Sequence, residues 1–208
     1  MKTTYQYQFY PDTDQKLELN HWLRICRYWY NRQLGDRFDW WDMNRTVIDA
    51  CPLITSISQP REKPNYYNQK ALLPFIKKDL VKVFHSGELL DFKQVDSTVL
   101  QDVSKRVDKA FERFIIGDSQ GSKSGRPRFK TEADYRTMTF ATASNDWIKL
   151  VRNDWLYIRL PKLGVVKVRM HRPIPDGFII KQASVTRKAD GWFIQLMLED
   201  TSVPEFTP

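Results

Sequence analysis

The sequence predicts an α+β fold: a small antiparallel β-barrel with a helical bundle inserted after its first strand. Three observations carry this. The first ten residues alternate with period two, Tyr5, Tyr7 and Phe9 on one side and Gln6 and Gln8 on the other. Further on, two stretches repeat apolar residues at helical spacing. After Gly125, six short β-type runs follow one another closely, as in a small barrel or sandwich. The first strand has no sheet partner among the helices, so it is expected to pair with the later strands. Residues 1–10 then form the first strand, 11–118 the helical part and 119–208 the rest of the barrel.

Taken in order, Pro11 ends the first strand. Asp12 stands three residues before Gln15, the spacing of a capping box. The helix behind it carries the stripe Leu19, Trp22, Leu23, Cys26, Trp29 or Tyr30, and Leu34, with Arg24, Arg27, Asn31 and Arg32 opposite. From Gly35 to Pro64 the pattern weakens. Trp40, Trp41 and Met43 are expected in a core, and Pro52, Pro60 and Pro64 mark a loop. A second helical region starts near Asn68, is kinked or interrupted by Pro74, and continues over Phe75 to Phe84. The clearest helix opens at Asp96-Ser97-Thr98 on Leu100, Val103, Val107, Ala110, Phe111 and Phe114, and Gly117 ends it. Gly117 to Gly125 reads as a flexible connector. The β-type runs are Thr137 to Ala143, Trp147 to Val151, Leu156 to Leu160, Val165 to Met170, Gln182 to Lys188 and Phe193 to Glu199. Asn153-Asp154 and Asp190-Gly191 are turn signals. No internal repeat is visible.

The formal charge of +8 favours a polyanionic partner. Its distribution says more than its size. Residues 121–172 hold 12 basic and 4 acidic side chains, an excess equal to that of the whole chain. Cys26 and Cys51 are too far apart for a metal knuckle and read as two reduced thiols. No apolar run approaches the roughly 20 residues that cross a bilayer, and the N-terminus lacks the core of a signal peptide. The expectation is a soluble, cytoplasmic protein without a membrane partner or a small-molecule substrate.

The block Gly125-Arg-Pro-Arg-Phe-Lys130 is stiffened by Pro127 and offers two guanidinium forks that match phosphate oxygens. Lys123, Arg136, Lys149, Arg152, Lys162, Lys167, Arg169 and Arg172 extend the patch. The competing reading is a solvated loop anchored by Phe129. Phe129, Tyr135, Phe140, Trp147, Trp155 and Tyr157 could stack bases, although most are expected in the barrel core. Gln101 reads two ways: it could pair with an adenine edge, or close a capping box from Thr98. Spacing alone favours the cap. His21, His85 and His171 form no ligand pattern. There is no G-x-x-x-x-G-K, G-x-S-x-G or H-E-x-x-H, and no carboxylate cluster of the two-metal kind. No catalytic residue, metal ligand or activity is expected from this chain alone.

Six short motifs occur in order: Tyr10-Pro11-x-x-x-Gln15, Arg27-Tyr-Trp-Tyr-Asn31, Asp96-Ser-x-x-Leu-Gln101, Ala110-Phe-x-x-Phe114, Gly125-x-Pro-Arg-Phe-Lys130 and Leu160-Pro-Lys-Leu-Gly164. Together they resemble the N-terminal half of TnpB, the OrfB-type transposase accessory protein of bacterial insertion sequences. That family comprises RNA-guided DNA nucleases related to type V CRISPR effectors. The resemblance implies a wedge β-barrel over 1–10 and 119–208, and an inserted recognition domain over 11–118. It implies guide RNA and double-stranded target DNA as partners. By motif position, Tyr67, Ser97, Thr98 and Gln101, with Tyr135, Arg136 and Thr137 nearby, would read the target-adjacent DNA motif. RNA and phosphate contact falls to Lys123, Arg126, Arg128, Lys130, Lys162, Lys167 and Arg169. In the family a RuvC-like nuclease domain with a zinc ribbon follows, and magnesium and zinc belong there. The chain then reads as a natural truncation, a split reading frame or a deliberately shortened chain. The alternatives are a freestanding DNA-binding regulator that does not cut, and an inert transposon remnant.

Overall fold

The computed structural model describes residues 2–49 and 61–200. Cys51, Pro52 and Pro60 lie outside the described residues. The chain divides into two compact units. One comprises residues 1–26, 93–102 and 132–208, the other residues 27–92 and 103–131.

The first unit is built on a seven-stranded sheet. Its strands are β1 (Lys2–Tyr10), β4 (Thr137–Phe140), β5 (Ile148–Arg152), β6 (Trp155–Leu160), β7 (Gly164–Arg169), β8 (Ile179–Lys188) and β9 (Gly191–Glu199). The order is β4-β8-β9-β1-β7-β6-β5, with every neighbouring pair antiparallel. The first strand does join the later ones. It lies at the centre, paired with β9 from Lys2 to Phe9 and with β7 from Gln8 to Tyr10. Alternation explains its place. Tyr5, Tyr7 and Phe9 are buried with Ile194, Leu196 and Leu198 of β9, Val166 and Val168 of β7, and Leu156, Ile158 and Leu160 of β6. The opposite face of β1 carries Lys2, Thr4, Gln6, Gln8 and Tyr10.

The sheet is mainly antiparallel, as expected, but no pairing among the described residues closes β4 onto β5. The connector after β4 uses the bonding groups at the start of β8 instead. Asn145 donates to Phe178 O (3.1 Å) and accepts from Ile180 N (2.8 Å), and Ala143 N donates to Lys181 O (3.1 Å). Phe140 and Trp147 meet edge to face at 5.6 Å.

Helix α1 (Thr13–Asp49) opens with the expected capping box. Asp12 N donates to Gln15 Oε1 (3.1 Å) and Gln15 N to Asp12 Oδ1 (2.8 Å). Gln15 Nε2 also donates to Val165 O, and Arg187 donates to Asn20, fixing this end of the helix on β7 and β8. Its whole expected stripe is buried, Trp29 and Tyr30 both included. The helix runs well past Leu34, where the sequence pattern weakens, and Met43 is exposed rather than in a core. Burial pushes the Tyr7 phenol up to about 12, with the Tyr5 ring adding to the rise and Arg172 opposing it; its hydroxyl donates to Arg172 O at 2.8 Å. The folded chain therefore keeps a proton there that the unfolded chain loses near pH 10. Stability from this group should be intact below pH 10 and fall as pH rises toward about 12. Urea melts of wild type and Tyr7→Phe across that window check it: the gap between them should narrow with pH, and a constant gap contradicts it.

The second unit is helical. It holds the rest of α1, α2 (Tyr66–Lys70), α3 (Leu73–Ile76), a hairpin of β2 (Val81–Lys82) and β3 (Leu89–Leu90), and most of α4 (Ser97–Ile115). The expected helix over Phe75 to Phe84 is not formed: α3 stops at Ile76 and the hairpin takes over. Gly87, at φ +68, supplies the left-handed residue that the hairpin turn needs. Trp40 and Trp41 are half-buried against Phe111 and Phe114. Gly117, at φ +106, ends α4 as expected. The segment after it is not a loose connector. Asp118 accepts from Gln120 N and Ser122 N, and Ser124 N returns to Arg113 O at 3.1 Å. No described helix is long and apolar enough to cross a membrane.

Candidate nucleic-acid interface

In the helical unit the basic segment is extended and pinned at both ends. Asn31 clasps the backbone of Lys130, accepting from its N–H at 2.8 Å and donating to its carbonyl at 2.9 Å. Phe129 stands edge-on to the buried Phe38 ring at 5.6 Å. Arg126 lies 4.1 Å over the same ring and pairs with Asp42 at 3.2 Å. Both partners of that pair are more than half exposed, so the pair is worth about 0–1 kcal/mol and leaves the guanidinium open to exchange. Arg128 and Lys123 are exposed, and neither has an ion-pair partner among the described residues. The segment thus presents its cations from a fixed backbone, which a loop held by Phe129 alone would not do.

In the same unit Tyr67 is 76% exposed on α2, beside Tyr66. Helix α2 is held by Gln69, buried beneath it. Gln69 donates to Gln33 O and Asp36 Oδ2 and accepts from Arg37 Nε at 2.9 Å. Arg37, fully buried, also donates to Asp108 at 2.6 Å. Nothing local in the sequence marks this network, because its members are 32 to 71 residues apart.

In the sheet unit α4 begins at Ser97, capped by Asp96. The Asp96 carboxylate accepts from Thr98 N (2.8 Å) and Thr98 Oγ1 (2.6 Å). The Thr98–Gln101 capping box is therefore not formed. Asp96 is the cap, Thr98 is the second residue of the helix, and Gln101 lies beyond the reach of a box. Gln101 is half-buried and makes no side-chain hydrogen bond among the described residues. Ser97 is exposed.

Tyr135 is 3% exposed, so its ring offers no open face. Arg136 is exposed and donates to Ala133 O, while Thr137 shares a hydrogen bond with Thr186 at 3.0 Å. Lys162, at φ +68, turns its ammonium onto the carbonyls of Lys93 and Val95, which ties the approach to α4 to the β6–β7 turn. Lys167 and Arg169 stand exposed on β7. Of the six rings proposed for stacking, Tyr135 and Phe140 are core. Trp147, Trp155 and Tyr157 are half-buried, and Phe129 is exposed. The expectation that most are core is corrected: strand alternation turns Trp155 and Tyr157 to the face opposite Leu156 and Ile158. Among the described residues no group of three or more His, Cys, Asp or Glu could hold a metal ion.

Two comparisons bear on this arrangement. Residues 1–46 match a family model described as a helix-turn-helix domain of the OrfB type found in IS605 elements. Over 98% of its length the chain is 27% identical to a protein of Streptomyces pristinaespiralis named "Putative RNA-guided DNA endonuclease". The chain is thus similar to OrfB-type proteins over its first 46 residues and to that endonuclease along nearly all of its own length. It spans about two fifths of that relative's length, 43%. The residues matched by the family model form β1 and the greater part of α1 as one continuous helix, with no turn between two helices. The match thus covers the capping box, the buried stripe and Asn31.

Proposed function

We propose that this chain is the nucleic-acid-binding portion of a TnpB-like RNA-guided DNA endonuclease, which binds guide RNA and a target-adjacent motif in double-stranded DNA. The observation that carries this is the near full-length similarity to the Streptomyces protein. The pinned, exposed basic segment supports it, because fixed guanidinium groups suit a phosphate backbone. In this reading 1–10 and 119–208 form a wedge-type barrel, and 11–118 the recognition domain. Arg126, Arg128, Lys130 and Lys123 contact RNA phosphates, joined by Lys167 and Arg169. Lys162 serves chiefly to hold its own turn. Tyr67, Ser97, Thr98, Gln101, Arg136 and Thr137 read the DNA motif, and Tyr135 supports them from the core. The chain works in the cytoplasm, and the magnesium and zinc that the TnpB resemblance implies fall to a nuclease portion other than these residues.

A gel-shift series across salt with an RNA hairpin tests this. Arg126→Ala/Arg128→Ala should weaken binding and shallow the salt dependence by about one unit of slope, or somewhat less, for each phosphate the variant no longer neutralises. Unchanged affinity and slope would reduce the segment to a solvated loop.

A further inference from the structure

The open face of the sheet sets Lys167 and Arg169, assigned above to RNA phosphates, among rings that neither the RNA nor the DNA assignment explains. Trp155 of β6 lies under Lys167, whose Nζ is 3.8 Å from the ring centroid, and beside Arg169 at 5.2 Å. Tyr10 meets the Trp155 ring edge-on at 5.5 Å. The register aligns them in rows. Tyr10 is opposite Lys167, which is opposite Tyr157; Gln8 is opposite Arg169, which is opposite Trp155, which is opposite Arg152. Side chains directly opposite share a face, and this one faces away from Leu156, Ile158 and Val168. Tyr10 is 44% exposed and the other two rings are half-buried. Arg152 and Arg159 are exposed without an ion-pair partner among the described residues. Arg169 has only an exposed pair with Asp154.

We propose that this face is a stacking platform for an unpaired nucleotide strand. Bases lie on Trp155, Tyr157 and Tyr10, and phosphates meet Lys167, Arg169, Arg152 and Arg159. The proposal rests on the nucleic-acid reading above and deepens it. A duplex hides its base faces and offers only edges and phosphates, so rings rising from a sheet have use only for unstacked bases. An acidic peptide would engage the cations but leave three aligned rings without a role. A cation over an exposed ring is held less strongly than a stacked base, so an incoming base displaces Lys167 toward the phosphate.

The test uses the full chain and fluorescence anisotropy with labelled oligouridine, oligothymidine and a blunt RNA duplex, with polyglutamate as competitor. Trp155→Leu should weaken binding of the single strands about 5- to 150-fold, the effect of removing one stacked base. It should leave duplex affinity and salt slope unchanged, and Trp155→Phe should restore most of the affinity. Tyr10→Leu, at an exposed position, should weaken the same probes without harming the fold. A preference for oligouridine or oligothymidine assigns the strand as RNA or DNA, and either supports the platform. Wild-type affinity in Trp155→Leu and Tyr10→Leu, or equal competition by polyglutamate, overturns it. If those variants are silent while Arg126→Ala/Arg128→Ala still fails to hold the RNA hairpin, this inference falls and the proposed function stands. If the wild type binds no nucleic acid, both fall.

Discussion

Arg37→Met should destabilise the chain by about 3–5 kcal/mol, the cost of breaking a buried pair by removing one partner. The guanidinium is buried on α1, with Asp108 2.6 Å from Nη2, Gln69 Oε1 2.9 Å from Nε, and the Phe111 ring 5.6 Å away. Methionine fills much of the volume but donates nothing. It strands Asp108, whose side chain is only 21% exposed, and leaves the buried carbonyl of Gln69 unpaired. Partial exposure of Asp108 puts the expected loss toward the lower end. Adding Asp108→Leu should recover part of the stability, since two apolar groups leave no orphaned charge. Urea melts of the single and double variants measure this. A single variant within about 1 kcal/mol of wild type, with m unchanged, would show that the pair contributes little. The same network fixes α2, so Arg37→Met should also loosen the exposed Tyr67 beside Gln69.

Local chemistry is legible in the sequence, and long-range pairing is not. The Asp12–Gln15 box, the Leu19–Leu34 stripe, α4 and all six later strands follow from period and turn residues alone. The length of α1 is hidden because Arg37, Asp36 and Gln33 interrupt the apolar pattern. They are polar yet engaged in the Gln69–Asp108 network, and a polarity pattern cannot show a satisfied buried arginine. The β2–β3 hairpin escapes a sequence reading because two-residue strands carry no period. Trp155 among its cations is within reach. The Leu160-Pro-Lys-Leu-Gly164 turn fixes the β6–β7 register, and the register sets Trp155 opposite Arg169. At Gln101 spacing misleads: it favours a box from Thr98, whereas the cap is Asp96, one short side chain before the helix.

Gln101→Glu should leave the fold intact and abolish discrimination between DNA motifs. The cap on α4 is Asp96, which accepts from both the N–H and the hydroxyl of Thr98. Gln101 sits in the second turn, and its amide has no hydrogen-bond partner among the described residues. Glutamate has the same shape, and an acid near a helix N-terminus is mildly favourable. The melting temperature of Gln101→Glu should therefore match wild type, whereas Asp96→Ala should cost about 0.5–2 kcal/mol. For base reading the exchange is severe. An amide offers adenine a donor and an acceptor together, while a carboxylate offers acceptors alone, so about 1–3 kcal/mol of discrimination should disappear. Non-specific affinity should change much less, because phosphate contacts carry it. The measurement is binding to duplexes bearing matched and scrambled motifs, with guide RNA present and the remaining length of a relative supplied in trans where required. An unchanged melting temperature with equal affinity for both duplexes would assign Gln101 to the motif. An unchanged melting temperature with discrimination retained would remove Gln101 from the reading surface and leave that work to Tyr67, Arg136 and Thr137.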